Sequence, residues 1–125
     1  MSYDVVKKLD EVPWEGHFMD ADSRIKWVYT RDKDGSPLTV MVIELSKGIS
    51  LPVHKHQDQP DLIYPISGKA TMFIEGKGTF PAEPGSVILV PPNTYHAVLN
   101  VEETFVMYNV FSPSIPYKPG TKNAE

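Results

Sequence analysis

The chain has 125 residues, with 12 Lys and Arg against 16 Asp and Glu and a net charge of −4. That length is a single domain's worth, and the few scattered cations, with Arg24 and Arg31 the only arginines, argue against a nucleic-acid groove or an anionic membrane surface as partner. There are no cysteines, which excludes a disulfide framework and every thiolate metal site and leaves any metal to His, Asp, Glu or an amide.

Apolar runs such as Val40 to Ile43 and Val87 to Val90 are four residues long, far below the ~20 of a transmembrane helix. The start, MSYDVVKKLDEVPWEG, lacks the apolar segment behind a basic one that marks a signal peptide, so a soluble, cytoplasmic protein is expected. Residues 1–14 read as an N-terminal arm. Twelve prolines and eight glycines then leave little room for long helices. The β-branched and aromatic run Ile25–Thr30 favours a strand, and short β-rich segments bounded by turn residues follow: Leu38–Leu45, Ile49–Val53, Leu62–Ser67, Ala70–Ile74, Gly78–Phe80, Ser86–Val90, His96–Leu99 and Thr104–Phe111. Glu75-Gly76-Lys77-Gly78 reads as a hairpin tip, and residues 113–125 as a proline-rich tail. The expectation is one all-β domain over 1–125, a sandwich or small barrel.

Of the four histidines, His54 and His56 are separated by one residue. Alternate side chains of a strand share a face, so their rings aim into one space from Cα atoms roughly 6.6 Å apart, a separation that lets two nitrogens meet one ion at about 2.0–2.1 Å. Asp61, at the mouth of the next apolar strand, reaches back to the same ion, and His96, just after the turn Pro91-Pro92-Asn93, supplies a fourth ligand. His17 has no spacing relation to these and reads as a surface histidine. Asp58 reads as a solvated loop charge.

The glycines and prolines around these residues form a pattern. Gly48, His54, His56, Asp61 and Gly68, at intervals of five, one, four and six residues, resemble the first motif of the cupin superfamily. Gly85, Pro91, Asn93, His96 and Asn100, at intervals of five, one, two and three, resemble the second. The resemblance implies a small single-domain cupin: a conical antiparallel β-barrel, or jelly roll, with one divalent transition metal (Mn, Fe, Co, Ni or Zn) near its wide mouth. Two residues depart from the family. Asn93 stands where Gly is usual, a mild change because Asn tolerates the left-handed conformation. Asp61 stands for Glu and shortens the reach by about 1.5 Å. In similar cupins that act on unsaturated uronic acids Gln takes the fourth-ligand place, which makes Gln59 the alternative to Asp61.

Alternation turns Met41, Ile43 and Leu45 inward with Ile63 and Val98, and leaves Val40 and Val42 outside. In the last strand Met107, Asn109 and Phe111 share one face and Val106, Tyr108 and Val110 the other, with the inward face left open. Arg31 reads either as a pocket-rim cation or as an exposed charge at a strand end, and Trp14 and Trp27 as core or interface residues. Three neutral imidazoles and a carboxylate around a divalent ion favour an anionic oxygen ligand. The expected function is therefore metal-dependent, Lewis-acid isomerase or lyase chemistry on a small oxygen-rich carboxylate resembling a sugar acid, with Tyr64, Tyr95, Tyr108 or a metal-bound hydroxide moving the proton. An iron-dependent dioxygenase and a non-catalytic binding or storage module are the alternatives. The arm's Val5, Val6, Leu9, Val12 and Trp14, which have no evident place on one barrel, suggest a homodimer joined through the arm.

Overall fold

Two long strands organise the chain, whose computed structural model describes residues 3–120. The ends of the expected arm and tail, residues 1–2 and 121–125, lie outside the described residues. The other strands are β1 (Glu15–Gly16), β2 (Arg24–Tyr29), β3 (Thr39–Leu45), β4 (Leu51–His54), β6 (Gly78–Ala82) and β7 (Ile88–Val90). The long pair, β5 (Asp61–Ile74) and β8 (His96–Phe111), runs antiparallel throughout, from Asp61 opposite Phe111 to Ile74 opposite His96. Sequence alone divides each of these into two strands, at Gly68 and at the acidic Glu102-Glu103. In the structure both continue through a bend there, where the pairing register shifts repeatedly between Pro65 and Ala70. Gly68 permits the bend: its φ is +84°, and a Cβ on it would lie 1.9 Å from the carbonyl oxygen of Thr104, so no other residue fits without moving the partner strand.

On either side of the bend the two strands gain different neighbours. The late half of β8 pairs with β3, which carries β2 and β1 in turn, and the early half of β5 pairs with β7. The remaining halves pair with β4 and with β6. Every pairing is antiparallel. The main core, which includes Ile25 and Met41 from one half and Leu51, Met72 and Ala82 from the other, lies between them, the jelly-roll arrangement expected.

Met41, Ile43, Leu45, Ile63 and Val98 all face this core, as alternation requires. The open question on the last strand resolves with Met107 and Phe111 in the core and Tyr108, Val106 and Val110 on the outside, around Val28, Val40 and Val42. That outer cluster also receives Val12 and Trp14 of the arm. Lys7 Nζ donates to the Val28 carbonyl at 2.8 Å and to Asp34 at 2.7 Å, and the Arg24 guanidinium stacks over Trp14. The expectation that the arm has no place on its own barrel is thereby corrected for Val12 and Trp14, to which the outward valines of β2 and β3 give an apolar bed, while Val5, Val6 and Leu9 stay exposed. Between β2 and β3 lies one helical turn, α1 (Arg31–Asp34), with Thr30 Oγ1 accepting from the Lys33 amide at its start and left-handed Gly35 at its end. Arg31 is exposed on that turn, so it reads as a solvated charge, and Trp27 is buried in the core. Among the described residues no helix is long and apolar enough to cross a membrane.

Candidate metal centre

His54, the last residue of β4, stands opposite His96, the first of β8, with ring centroids 4.2 Å apart. The strand ends there, so His56 arrives on the connection to β5 rather than by alternation along β4. Its backbone carbonyl accepts the Asn93 amide at 2.7 Å, with Asn93 in the left-handed conformation at φ 56°. The Pro91-Pro92-Asn93 turn thus fixes the place of His56. Its ring centroid lies 5.4 Å from that of His54 and 5.5 Å from that of His96, and nitrogens of the three imidazoles lie within 4.8 Å of one another.

Two of the rings have their tautomers set by the backbone. Nδ1 of His54 is 2.9 Å from the Pro52 carbonyl and Nδ1 of His96 is 2.9 Å from the Thr94 carbonyl. A carbonyl only accepts, so each Nδ1 carries the proton and each Nε2 keeps its lone pair. Nε2 of His96 is buried with no hydrogen-bond partner, an acceptor that needs a donor or an ion. Burial lowers the pKa of all three; neighbouring imidazoles add to the effect at His56 and His96, which fall to about 4, and Lys118 adds to it at His54. Neutral rings with converging lone pairs are the form a transition metal binds, so these residues fit such an ion.

The cavity they border has a volume of about 50 Å³ and is otherwise mostly apolar, with Met41, Ile43, Leu51, Ile63 and Met72 in its wall. Asp61 also lines it but is not part of the three-imidazole group. Its Oδ1 accepts from Nδ2 of Asn109 at 3.0 Å, and burial raises its pKa to about 7 against the opposing effect of that bond. Gln59 turns elsewhere, its amide donating to the Ser114 carbonyl, and Asp58 is exposed. None of the three tyrosines lines the cavity. Tyr64 and Tyr95 are exposed, and Tyr108 belongs to the outer cluster, because β5 and β8 present inward the residues on either side of Tyr64 and Tyr108.

His17 is the residue that sequence reasoning missed. It is 2 % exposed, so its reading as a surface histidine is corrected. The β1–β2 loop carries it over the cavity together with Phe18 and Met19. Its Nδ1 accepts from the Met19 amide and its ring stacks on Phe18, and burial lowers its pKa to about 4. The tail braces this roof: Tyr117 meets Trp27 edge-on and hydrogen-bonds Glu15, while Lys118 lies over the Phe18 ring. The only trace in the sequence is an apolar Phe-Met pair inside an otherwise polar loop.

The sequence profile of the cupin domain matches residues 41–111. The chain is 28% identical over 104 residues to a pectin degradation protein, KdgF, of Dickeya dadantii (strain 3937), covering 83% of this chain and 88% of that one. Among solved structures, KdgF from Halomonas sp. superposes with a TM-score of 0.71 at 21% identity over 85% of this chain and 92% of that chain. A predicted oxalate decarboxylase from Thermotoga maritima gives 0.72 at 16% identity over 89% and 100%. At these identities the superpositions establish the fold.

Proposed function

The chain belongs to the cupin domain family, and on that premise we propose that it is a metal-dependent enzyme acting on a small oxygen-rich carboxylate of the sugar-acid kind. The observation that carries this reading is the set of three neutral imidazoles whose nitrogens lie within 4.8 Å of one another in an apolar cavity. His54, His56 and His96 would hold one divalent transition ion, which supplies Lewis-acid polarisation of a carboxylate or carbonyl oxygen. The cavity of about 50 Å³, roofed by Phe18 and Met19 of the β1–β2 loop, would take the acid end of a small substrate rather than the whole of a large one. Phe18 and Met19 exclude water from that end. Asp61, which lines the same cavity and accepts from Asn109, would give and recover a proton near neutral pH, the part that sequence reasoning assigned to tyrosines. The names of the relatives, a pectin degradation protein and a predicted oxalate decarboxylase, agree with a carboxylate substrate.

The test is turnover by protein loaded with Mn, Fe, Co, Ni or Zn, followed by NMR over a panel that includes oxalate, simple hydroxy and keto acids and an unsaturated uronic acid, with oxygen uptake recorded in parallel. Conversion without oxygen uptake is the expected result. Oxygen consumption stoichiometric with product would make it a dioxygenase, and binding without conversion of any panel member would make it a binding module.

A further inference from the structure

A cation stands at the roof of the cavity. Lys118, in the tail beyond the last strand, is exposed, and its ammonium lies 5.1 Å from the centroid of the Phe18 ring, which lines the cavity. Lys7, Arg24 and Lys33 each meet a carboxylate, whereas among the described residues none stands within ion-pair distance of Lys118. Burial is the main reason that the His54 and His56 rings resist protonation, and the charge of Lys118 is a further one. The ammonium is therefore within electrostatic reach of the imidazoles. The chain on either side of it is held in place. Tyr117, just before it, meets Trp27 edge-on and hydrogen-bonds Glu15. Gly120, two residues on, packs so closely against Gly16 that a Cβ on it would lie 2.9 Å from the Gly16 carbonyl oxygen.

We propose that Lys118 determines substrate choice: the carboxylate taken into the cavity belongs to a diacid, whose second carboxylate is received by the Lys118 ammonium at the rim. This inference rests on the reading of the cavity as a site for a metal-held carboxylate and narrows it to an oxygen-bearing dicarboxylate of the sugar-diacid kind. Charge favours a dianion. Three neutral rings cancel none of the charge of a divalent ion, so a single carboxylate leaves the site cationic before Lys118 is counted. Because like charges repel, Lys118 opposes the metal ion itself, and its position is of use only to an anion that extends from the ion to the rim. Size points the same way. A cavity of about 50 Å³ takes one acid group, which leaves a second outside it, where Phe18 and Lys118 close the roof. The aromatic face holds the ammonium on one side and leaves its other side for a carboxylate. Spacing then separates diacids. The carboxyl carbons of oxalate are bonded directly, about 1.5 Å apart, so both stay at the ion, whereas those of an extended five-carbon diacid are about 5 Å apart.

The visible absorption of the full chain loaded with Co²⁺, titrated with 2-hydroxyglutarate, 2-hydroxypentanoate and oxalate, tests this. The first two differ only in a distal carboxylate against a methyl group, and oxalate is a diacid too short to span. The unaltered chain is expected to bind 2-hydroxyglutarate more tightly than 2-hydroxypentanoate, with the preference shrinking as ionic strength rises. Lys118→Met, which keeps the apolar stem over Phe18, is expected to weaken 2-hydroxyglutarate about fivefold at low salt and to leave the other two acids within about twofold. Lys118→Arg keeps the preference. Co²⁺ affinity is expected to hold or rise in Lys118→Met, since a repelling charge is gone. A fall in Co²⁺ affinity, or an equal loss for all three acids, would make the lysine a structural brace and overturn the proposal. So would equal affinity of the unaltered chain for the two hydroxy acids, which leaves the carboxylate reading of the cavity standing. Failure of all three acids to perturb the Co²⁺ spectrum would overturn both.

Discussion

His54 and His96 face each other across the β4–β8 pairing with ring centroids 4.2 Å apart, each Nδ1 directed at a backbone carbonyl two residues earlier in the chain. The carbonyls keep the protons on Nδ1 and leave Nε2 for an ion. Replacing either ring by alanine removes a ligand and the partner of a fixed tautomer. His54→Ala and His96→Ala are each expected to lower Co²⁺ or Mn²⁺ affinity by at least ~100-fold from a stoichiometry of one per chain, by isothermal titration calorimetry. Full occupancy in both variants would refute the site.

Asp61 and Gln59 separate in the same measurement. With its carboxylate held by Asn109 and outside the imidazole group, Asp61 is expected to tolerate Asn with one metal still bound per chain. The loss is expected in turnover, by roughly 10²–10⁴-fold for a lost proton carrier. Gln59→Ala, which removes an amide bonded to Ser114, leaves affinity unchanged. Metal loss in Asp61→Asn as complete as in His54→Ala would make Asp61 a ligand.

Acidification has a defined sign. His17, His56 and His96 ionise at about 4 in the folded chain and near 6.5 when unfolded, so between those values the unfolded state binds more protons and stability falls as pH falls. Asp61 works in the opposite direction: with its pKa raised to about 7 against about 3.9 unfolded, it favours the folded state as pH drops toward 4. Three groups outweigh one, so the metal-free protein melts at a lower temperature at pH 5 than at pH 7, and Asp61→Asn steepens that dependence. Differential scanning calorimetry across this range checks both. A transition independent of pH would contradict the buried neutral rings.

Tyr64→Phe, Tyr95→Phe and Tyr108→Phe are expected to leave turnover within about threefold, since none of the three reaches the cavity. A loss of 100-fold in any of them would return the proton transfer to that phenol.

The difference between what the residues announced and what they concealed has a physical basis. The inward set Met41, Ile43, Leu45, Ile63 and Val98 was legible because a two-residue period leaves one face no choice once its neighbours are buried. His54 and His96 were legible through the glycines and prolines that fix their turns. The outward placement of Tyr64 and Tyr108 was not legible because type and proximity in sequence do not specify a face when apolar residues stand on both faces of a strand, as in Val106–Phe111, and Tyr95 precedes β8 altogether. His17 was hidden for another reason: its burial depends on the β1–β2 loop lying across a cavity whose other walls come from distant strands. The arm's position likewise required knowing that Val28, Val40 and Val42 form a continuous outer patch.

At Gly68 the contact with the Thr104 carbonyl predicts a large effect from a single added methyl. Gly68→Ala combines a positive φ with a clash against backbone, and a loss of stability of at least ~2 kcal/mol is expected in urea unfolding. A change below ~0.5 kcal/mol would mean that β8 yields there.

Because β5 and β8 each belong to both halves of the fold, neither half can detach while the other persists. Amide hydrogens of the two long strands should therefore exchange by one common global opening, with equal free energies on either side of Gly68. The β1–β2 loop, held by its own side-chain hydrogen bonds and by the tail, is expected to open independently of that global event and more often. Access to the histidines is then a local fluctuation of that loop, decoupled in rate from the integrity of the scaffold beneath it.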